Sequence, residues 1–220
     1  MVRVYLADIG EEHLKSALEK GVQAHALQSQ AARRLLLEAL EGEYPTLAGS
    51  FWIEKDSRGK PYLPGHEKIH ISIAHSGRLA ACAIADRAVG VDVEFRRERP
   101  GCARISRRLH KREQEWLLRQ PKEEQEKAFY DLWVRKESFM KAAGEGLRMG
   151  LDSFCTVDRL EGEDSLYSGR PLEVSQDYSP AAYYIWQYEA GDGSYSLAAC
   201  SEDAVFEKEA VFLAISEAGR

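Results

Sequence analysis

The spacing of apolar residues in the first part of the chain predicts one helix among several short strands. Leu35, Leu36 and Ala39 recur at helical spacing and Gly42 follows them, which predicts a helix over 28–40. Short apolar or β-branched runs, separated by turn-forming residues, predict strands on either side of this helix. These strands are expected over 2–6, 51–54, 69–73, 79–85 and 89–94.

The second part of the chain shows a similar order, with helices first and strands after them. A helix is predicted over 105–119, Pro121 interrupts the pattern, and a longer helix over 123–143 stops before Gly144. β-Branched and aromatic residues then predict three further strands. These strands are expected over 151–157, 183–188 and 195–199.

Residues 96–101, which include Pro100, separate the two parts and mark the predicted boundary. We therefore divide the chain into an N-terminal half, 1–98, and a C-terminal half, 99–220. The predicted fold class is α+β, with two halves of similar build in which helices pack on a small antiparallel sheet. A cleft between two such halves is a usual place for a ligand.

Composition and charge narrow the class of protein. Hydrophobic residues make up 44% of the 220 positions, which is enough for a globular core. The formal net charge of −6 argues against a general nucleic-acid binder, because such proteins neutralise phosphates with surplus Lys and Arg. The longest apolar run, 79–85, is far shorter than the ~20 residues that span a bilayer, and the sequence reaches Asp8 without a signal-peptide core. We therefore expect a cytoplasmic protein that binds neither nucleic acid nor a membrane.

The cysteines are scattered and form no C-x-x-C pair. They are Cys82, Cys102, Cys155 and Cys200. This spacing favours buried free thiols over a disulfide framework or a structural zinc site.

Two carboxylates stand on one predicted strand. Asp92 and Glu94 alternate with valines in the run GVDVE over 90–94, so the period of two turns both side chains to the same face. Like charges this close repel one another unless a cation or water screens them. The pair therefore indicates either a bound metal or the solvated edge of a half-exposed sheet.

The long predicted helix carries a second polar set. Trp133, Glu137 and Lys141 lie four residues apart and share one face of the helix. Taken alone, they are also consistent with an aromatic packing residue followed by a surface Glu–Lys pair. Together with Asp92 and Glu94, they could complete a group of three carboxylates and one ammonium. Such ligands suit magnesium and phosphate chemistry, while no G-x-x-x-x-G-K-[ST] loop occurs in the chain.

These residues resemble a family signature. The run GVDVE over 90–94, followed by WVRKESFMK over 133–141, is similar to the two-part motif of the phosphopantetheinyl transferases. Flanking runs resemble motifs of the single-chain, surfactin-activating (Sfp-type) branch. They are GKPY over 59–62, AHS over 74–76, and GEGL over 144–147 followed by LDSF over 151–154. Their shared order and separation make the resemblance specific from about residue 33 to residue 154.

The resemblance implies a pseudo-twofold pair of α+β halves with the active site in the cleft between them. The expected reaction moves 4′-phosphopantetheine from coenzyme A to a serine of an apo acyl or peptidyl carrier protein, releasing adenosine 3′,5′-bisphosphate. By this resemblance Asp92, Glu94 and Glu137 hold Mg²⁺. Lys141 contacts a phosphate oxygen, and Glu137, or a water that it orients, accepts the serine proton.

The same resemblance implies where coenzyme A binds. Lys60 and His75 are expected along the adenosine 3′-phosphate and ribose, with Arg33 or Arg34 as a further contact. Since one chain would contain both halves, we expect a monomer.

A local basic stretch follows the acidic motif, although the whole chain is acidic. It comprises Arg96, Arg97, Arg99, Arg104, Arg107, Arg108, Lys111 and Arg112. Carrier proteins tend to be acidic, so the stretch is expected to dock the carrier, although a solvated helix face has the same composition. Two other functions would use the same residues: a magnesium-dependent coenzyme A diphosphate hydrolase, and a non-catalytic module that binds coenzyme A or a carrier.

Overall fold

A computed structural model of the protein describes residues 1–19, 23–97, 101–157, 170–177 and 179–215. Within these residues, helices α1 to α5 span Glu11–Glu19, Ala24–Glu43, Cys102–Ser106, Lys111–Arg119 and Gln125–Ala143. Strands β1 to β6 span Arg3–Asp8, Glu54–Lys55, Pro61–Tyr62, His70–Ser76, Leu79–Ala85 and Val89–Phe95. Strands β7 to β12 span Phe154–Cys155, Leu172–Glu173, Ser175–Gln176, Tyr184–Tyr188, Tyr195–Ser201 and Val211–Phe212. The fold is α+β, as predicted.

The main strands form two four-stranded sheets that are almost wholly antiparallel. The first has the strand order β12-β1-β5-β4, in which only the β1–β12 pair is parallel. The second has the order β6-β11-β10-β8, with Asp92 opposite Ala198 and Glu94 opposite Ser196. Two short pairs, β2–β3 and β7–β9, lie outside these sheets.

The sheets pack face to face between two helices. Val4 of β1 and Val91 of β6 belong to one apolar core, which draws on strands of both sheets. On the far side of the first sheet, α2 buries Leu35 in a second core. On the far side of the second sheet, α5 buries Val134 and Phe139 in a third. Because the valines of β6 face the first core, the alternating polar positions of that strand face α5.

The predicted helix over 105–119 was wrong, because α3 ends at Ser106 and α4 starts at Lys111. Leu109 is buried between them, and the next residue, His110, caps α4. The Nδ1 atom of its ring accepts a hydrogen bond from the backbone N–H of Arg112 at 3.3 Å. The backbone N–H of His110 donates to Oε2 of Glu113 at 3.1 Å. The chain therefore turns here to bury Leu109 and Glu113, a turn that helical periodicity does not reveal.

The other long elements are confirmed with shifted ends. Two predicted strands, over 51–54 and 151–157, shorten to the two-residue β2 and β7. Elements α1, β3, β8, β9 and β12 were not predicted. All four cysteines are free, as predicted, but Cys102 is only half-buried. Among the described residues, no helix is both long and apolar enough to cross a membrane.

The predicted division after residue 98 stays a prediction, and Glu98, Arg99 and Pro100 lie outside the described residues. Sheet membership does not follow that division. Strand β6 precedes residue 98 but pairs with β11, whereas β12 follows it but pairs with β1.

Candidate active site

Gly90 sets how closely α5 packs on β6. A Cβ atom at Gly90 would lie 2.0 Å from the carbonyl oxygen of Ser138 and 2.5 Å from the amide nitrogen of Ala142, both backbone atoms of α5. A side chain has no room there, so glycine allows the helix backbone to approach the strand. This approach brings Glu137 and Lys141 of α5 over the polar face of β6.

Lys141 pairs with Asp92 across these two elements. Its Nζ donates to Asp92 Oδ1 at 2.7 Å and to the carbonyl oxygen of Val91 at 3.0 Å. Asp92 is 7% exposed, which is inconsistent with a solvated sheet edge. Its Oδ2 atom is buried and has no hydrogen-bond partner among the described residues. The interpretation of Glu137 and Lys141 as a surface pair was also wrong, because the lysine turns to the strand carboxylate.

Glu94 is held by a residue of the first sheet. Ser76, the last residue of β4, donates from Oγ to Glu94 Oε2 at 2.8 Å. The same hydroxyl accepts the backbone N–H of Phe95 at 3.1 Å. The carboxylate of Glu94 is thus fixed to the neighbouring sheet at the end of β6.

Burial and neighbouring carboxylates raise the pKa of both Asp92 and Glu137. Burial raises the pKa of Asp92 to about 6, with Lys141 opposing the shift and Glu94 adding to it. Burial also raises the pKa of Glu137 to about 7, and the negative charges of Asp92 and Glu94 add to this effect against Lys141. Carboxylates in such surroundings take up a proton or a cation more readily than isolated ones.

A cavity of about 380 Å³ opens beside this cluster, between the two sheets and the end of α5. Predicted site residues that line it are Lys60, His75, Asp92, Glu94 and Lys141. Lys60 Nζ donates to the carbonyl oxygen of Ala142 near the end of α5, at 2.8 Å. His75 packs edge-on against His25 of α2, with 5.0 Å between the ring centroids.

Three predicted residues are not among those that line the cavity. Glu137 lies beside it and interacts with the lining carboxylates through their charges. Arg33 instead donates from Nη2 to the carbonyl oxygen of Ile53 at 3.1 Å, and Arg34 pairs with Glu38 on its own helix. The structure does not bring Arg33 to the site, and its contact with coenzyme A stays a prediction.

Sequence reasoning missed several residues of the site. Lys55 and Arg58 line the cavity and add two cations close to Lys60, a proximity along the chain that could have pointed to them. Arg58 also forms an ion pair with Glu145 beyond the end of α5. His25 lines the cavity as well, but its meeting with His75 depends on how α2 crosses β4.

The described side chains do not form a ready-made metal cage. No group of three or more His, Cys, Asp or Glu residues among them could hold a metal ion as the side chains stand. A metal bound here would therefore take part of its coordination from elsewhere.

Comparison with known proteins decides the family. Residues 88–200 match the family model described as the 4′-phosphopantetheinyl transferase superfamily. The chain belongs to this superfamily. The matched region runs from the start of β6 to the end of β11 and so contains the strand carboxylates and all of α5.

Curated 4′-phosphopantetheinyl transferases are similar to the chain. It is 35% identical over 160 residues to Sfp of Bacillus subtilis (strain 168), and 36% identical over 144 residues to a further 4′-phosphopantetheinyl transferase of Bacillus subtilis. It is 34% identical over 152 residues to ffp of Bacillus subtilis. These matches cover 72%, 65% and 69% of the present chain. They cover 66%, 59% and 63% of the relatives, so the chain spans less than two thirds of their length. The predicted resemblance to the Sfp-type branch is confirmed.

Proposed function

We propose that this protein transfers the 4′-phosphopantetheine group of coenzyme A to a serine of an apo carrier protein. The observation that supports this most is the meeting of Asp92, Lys141 and Glu137 beside one cavity in a member of this superfamily. The serine oxygen forms a bond to the β-phosphorus of coenzyme A while the bond from that phosphorus to the bridging oxygen breaks. Adenosine 3′,5′-bisphosphate leaves with the electron pair.

The cavity suits the nucleotide end of coenzyme A. Its volume of about 380 Å³ is within the range of small-molecule pockets. Lys55, Arg58 and Lys60 supply positive charge from the loop that lines one side. In the proposed binding mode, coenzyme A runs from these cations, past His75, to Lys141. Its diphosphate would lie there, next to the carboxylates.

Magnesium fits the donor chemistry of the site. The buried Oδ2 atom of Asp92 is without a partner among the described residues, and Glu94 and Glu137 offer further oxygen atoms nearby. Mg²⁺ is often bound by one or two carboxylates and completed by substrate phosphates and water, so the protein need not supply three ready ligands. We infer that Asp92, Glu94 and Glu137 hold the ion together with coenzyme A. When bound, Mg²⁺ would neutralise negative charge on the diphosphate.

Two residues of α5 would act on the reacting groups. Glu137, a carboxylate beside the cavity, is placed to accept the serine proton directly or through a water. Lys141 is half-exposed toward the cavity and can offer its ammonium to a phosphate oxygen. Positioning and charge stabilisation of this kind dominate phosphoryl transfer.

The basic stretch supports docking of an acidic carrier protein. Its exposed cations surround α3 and the start of α4: Arg97, Arg104, Arg107, Arg108 and Lys111. Arg96 and Arg112 are half-buried, and Arg99 lies outside the described residues. Arg96 donates to the carbonyl oxygen of Tyr195 at 2.7 Å, so this residue has a structural contact of its own.

A groove lies next to this stretch, and Arg107 lines it. It has a volume of about 430 Å³, lies between α3, α4 and the start of α5, and includes Leu118, which is 78% exposed. Phe129 lines the groove and stacks on Trp133, with 6.4 Å between the ring centroids. From Phe129 to Glu137 the helix rises ~12 Å at 1.5 Å per residue. We therefore propose that a carrier seated in this groove extends its serine along α5 toward the proposed base.

We also propose that two equivalent units of the chain, which join between β5 and β6 and not after residue 98, are related by a pseudo-twofold axis. The chain order strand, helix, strand, strand holds for β1, α2, β4 and β5, and again for β6, α5, β10 and β11. In both sheets the last strand of the set lies between the other two. This shared topology supports two equivalent units that join between β5 and β6, with the cleft between them. Since both units belong to one chain, a monomer would contain the complete site.

Intact-mass spectrometry of a carrier protein tests the reaction. The protein is incubated with coenzyme A, Mg²⁺ and a panel of apo acyl and peptidyl carriers. We expect a carrier to gain the mass of one phosphopantetheine group, and to stay unmodified when its serine is replaced by alanine or when Mg²⁺ is chelated. Free 4′-phosphopantetheine without carrier modification would indicate a hydrolase instead. Coenzyme A binding with neither product would indicate a binding module.

A further inference from the structure

The β4–β5 turn, residues 76–78, is fastened to the second sheet at the edge of the active site. Ser76 Oγ accepts the N–H of Phe95 at 3.1 Å, and the Arg78 N–H donates to the Tyr195 hydroxyl at 2.9 Å. Gly77 lies between them with φ +55°, and a Cβ atom there would be 2.6 Å from the Tyr195 hydroxyl. The turn thus fits closely against β6 and β11 and cannot shift without breaking these contacts.

A third contact fixes the turn to helix α2. Gln28 of α2 donates from Nε2 to the carbonyl oxygen of Gly77 at 2.7 Å. The backbone that follows Ser76 is therefore anchored to elements other than its own hairpin.

The chemistry of a hydroxyl then determines what Ser76 does. A serine hydroxyl has one proton to donate. Its oxygen accepts from Phe95, and its proton points to Glu94 Oε2, 2.8 Å away. The single donor of Ser76 is thereby committed to one carboxylate oxygen of Glu94, which restricts the orientation of that side chain.

The geometry points to Ser76 as a positioning residue that orients Glu94 for the divalent cation. This inference rests on the proposed function, in which Glu94 is one of the cation's ligands. Carboxylates that bind metals are usually oriented by hydrogen bonds from outer residues, and loss of such a partner commonly lowers metal affinity by ~10–100-fold. Ser76 donates to Glu94 from the opposite sheet.

Tyr195 offers a matched control. Y195F removes the hydroxyl that accepts from Arg78, so it loosens the same turn without touching the hydrogen bond to Glu94. S76T keeps a hydroxyl, and S76C keeps a weaker donor of similar size. Any effect of the turn's stability alone should therefore appear in both S76A and Y195F, whereas an effect of orienting Glu94 should appear in S76A and not in Y195F or S76T.

The experiment measures the affinity of the full chain for Mn²⁺, the probe ion, with coenzyme A present. Electron paramagnetic resonance detects the bound and free ion. We expect S76A to weaken Mn²⁺ binding by ~10–100-fold, S76C to lie between S76A and the wild type, and S76T and Y195F to stay close to the wild type. Thermal melts of every variant establish that each is folded. In transfer assays, S76A should need more Mg²⁺ for half its maximal rate, with much of that rate recovered at high Mg²⁺.

The outcomes separate this inference from the proposed function. Equal Mn²⁺ affinities for S76A and Y195F would overturn the positioning role even if carrier modification is seen. Weaker Mn²⁺ binding by S76A alone would support it even if no tested carrier is modified. A wild-type protein that binds no Mn²⁺ with coenzyme A present would overturn it together with the metal site.

Discussion

Lys141 is the residue that balances charge in the carboxylate cluster. Its ammonium lies 2.7 Å from Asp92 Oδ1 and opposes the rise in pKa of both Asp92 and Glu137. The side chain is 31% exposed and lines the cavity, so it can also meet a ligand. An ammonium in this place both stabilises the neighbouring carboxylates and offers a countercharge to a diphosphate.

Replacing either α5 residue at the reacting centre should lower turnover more than it lowers stability. In the proposed mechanism, E137Q removes a base and a ligand charge at constant size, and K141A removes the countercharge. We expect each to reduce kcat by on the order of 10²-fold or more, measured by carrier modification under saturating coenzyme A. E115Q, an exposed change on α4, serves as the control. Near-normal turnover of E137Q would remove Glu137 from the reaction.

His75 should make the stability of the fold depend on pH. Its pKa is lowered by burial, and further by His25 and Lys141, below the usual value of 6.5. A histidine with a lowered pKa in the folded protein stabilises the fold above the unfolded pKa, and this contribution is lost as pH falls through the folded pKa. The Tm of H75Q should therefore fall less than that of the wild type between pH 7 and pH 5. Parallel Tm curves for the two proteins would contradict this assignment.

At the scale of elements, the crossing of α5 on β6 assembles the site. The sequence predicted both elements, because α5 has a long helical pattern and β6 a clear alternation of valines with polar residues. The same periodicities predicted that Asp92 and Glu94 share one face of the strand and that Glu137 and Lys141 share one face of the helix. Contacts between elements were not predictable, because the pairing of Lys141 with Asp92 and of Ser76 with Glu94 depends on how separate segments pack. Short strands such as β2 and β7 are likewise defined by their partners, not by local pattern.

Gly90 should be the least replaceable glycine in this crossing. G90A places a methyl group within 2.0 Å of the Ser138 carbonyl oxygen, which forces α5 away from β6. We expect a loss of stability of ~1–3 kcal/mol, as for other overpacked cores, and a larger loss of turnover because Lys141 and Glu137 move with the helix. Denaturant unfolding and carrier modification measure the two effects. G42A, at a helical glycine with open space, is the control and should leave both nearly unchanged.

A buried ion pair joins α4 to α5 on the other side of the helix. Lys136 Nζ lies 2.8 Å from Glu113 Oε2, and neither side chain is exposed to solvent. Glu113 Oε1 also accepts from the Thr156 N–H and hydroxyl, at 2.8 and 2.9 Å, while Lys136 donates to the carbonyl oxygen of Phe154 at 2.9 Å. This network fixes α4, β7 and Thr156 against the helix that carries the candidate active-site residues.

Replacing one residue of that ion pair should lower the stability of the protein more than replacing both. K136M leaves the Glu113 carboxylate buried without its cation, which we expect to lower the free energy of unfolding by ~3–5 kcal/mol. The double variant E113Q/K136M removes the stranded charge and keeps an acceptor for Thr156, so it should recover part of that loss. Denaturant unfolding of the three proteins gives the comparison. If the double variant is less stable than K136M, the charge of Glu113 is not what destabilises the single variant.

At the scale of the whole molecule, charge is distributed unevenly. The chain has a net charge of −6, yet residues 96–112 contain eight Arg and Lys residues and a single carboxylate, at Glu98. Arg107, an exposed member of this stretch, lines the groove between α3, α4 and the start of α5. Such a local field attracts an acidic partner and speeds its association, although the protein as a whole is acidic.

Charge reversal in the basic stretch should therefore weaken the binding of the carrier protein and leave the binding of coenzyme A nearly unchanged. Arg107 and Arg108 are exposed between α3 and α4, and Arg107 lines the groove. We expect R107E/R108E to raise the carrier KM at low salt, chiefly through slower association, and to change coenzyme A binding much less. The control K68E/R87E makes the same change in net charge at exposed positions, near the end of β5 opposite the 76–78 turn.

Salt distinguishes long-range attraction from a direct contact. Screening over ~8–10 Å at moderate ionic strength should slow the wild type and narrow its advantage over R107E/R108E, while K68E/R87E should follow the wild type throughout. Initial rates against carrier concentration at low and moderate salt, with coenzyme A binding by calorimetry, measure both effects. An unchanged carrier KM at both salts would make these arginines a solvated surface. An equal loss of coenzyme A affinity would instead place them in the nucleotide site, because steering of a carrier has no reason to alter the binding of a small molecule in a separate cavity.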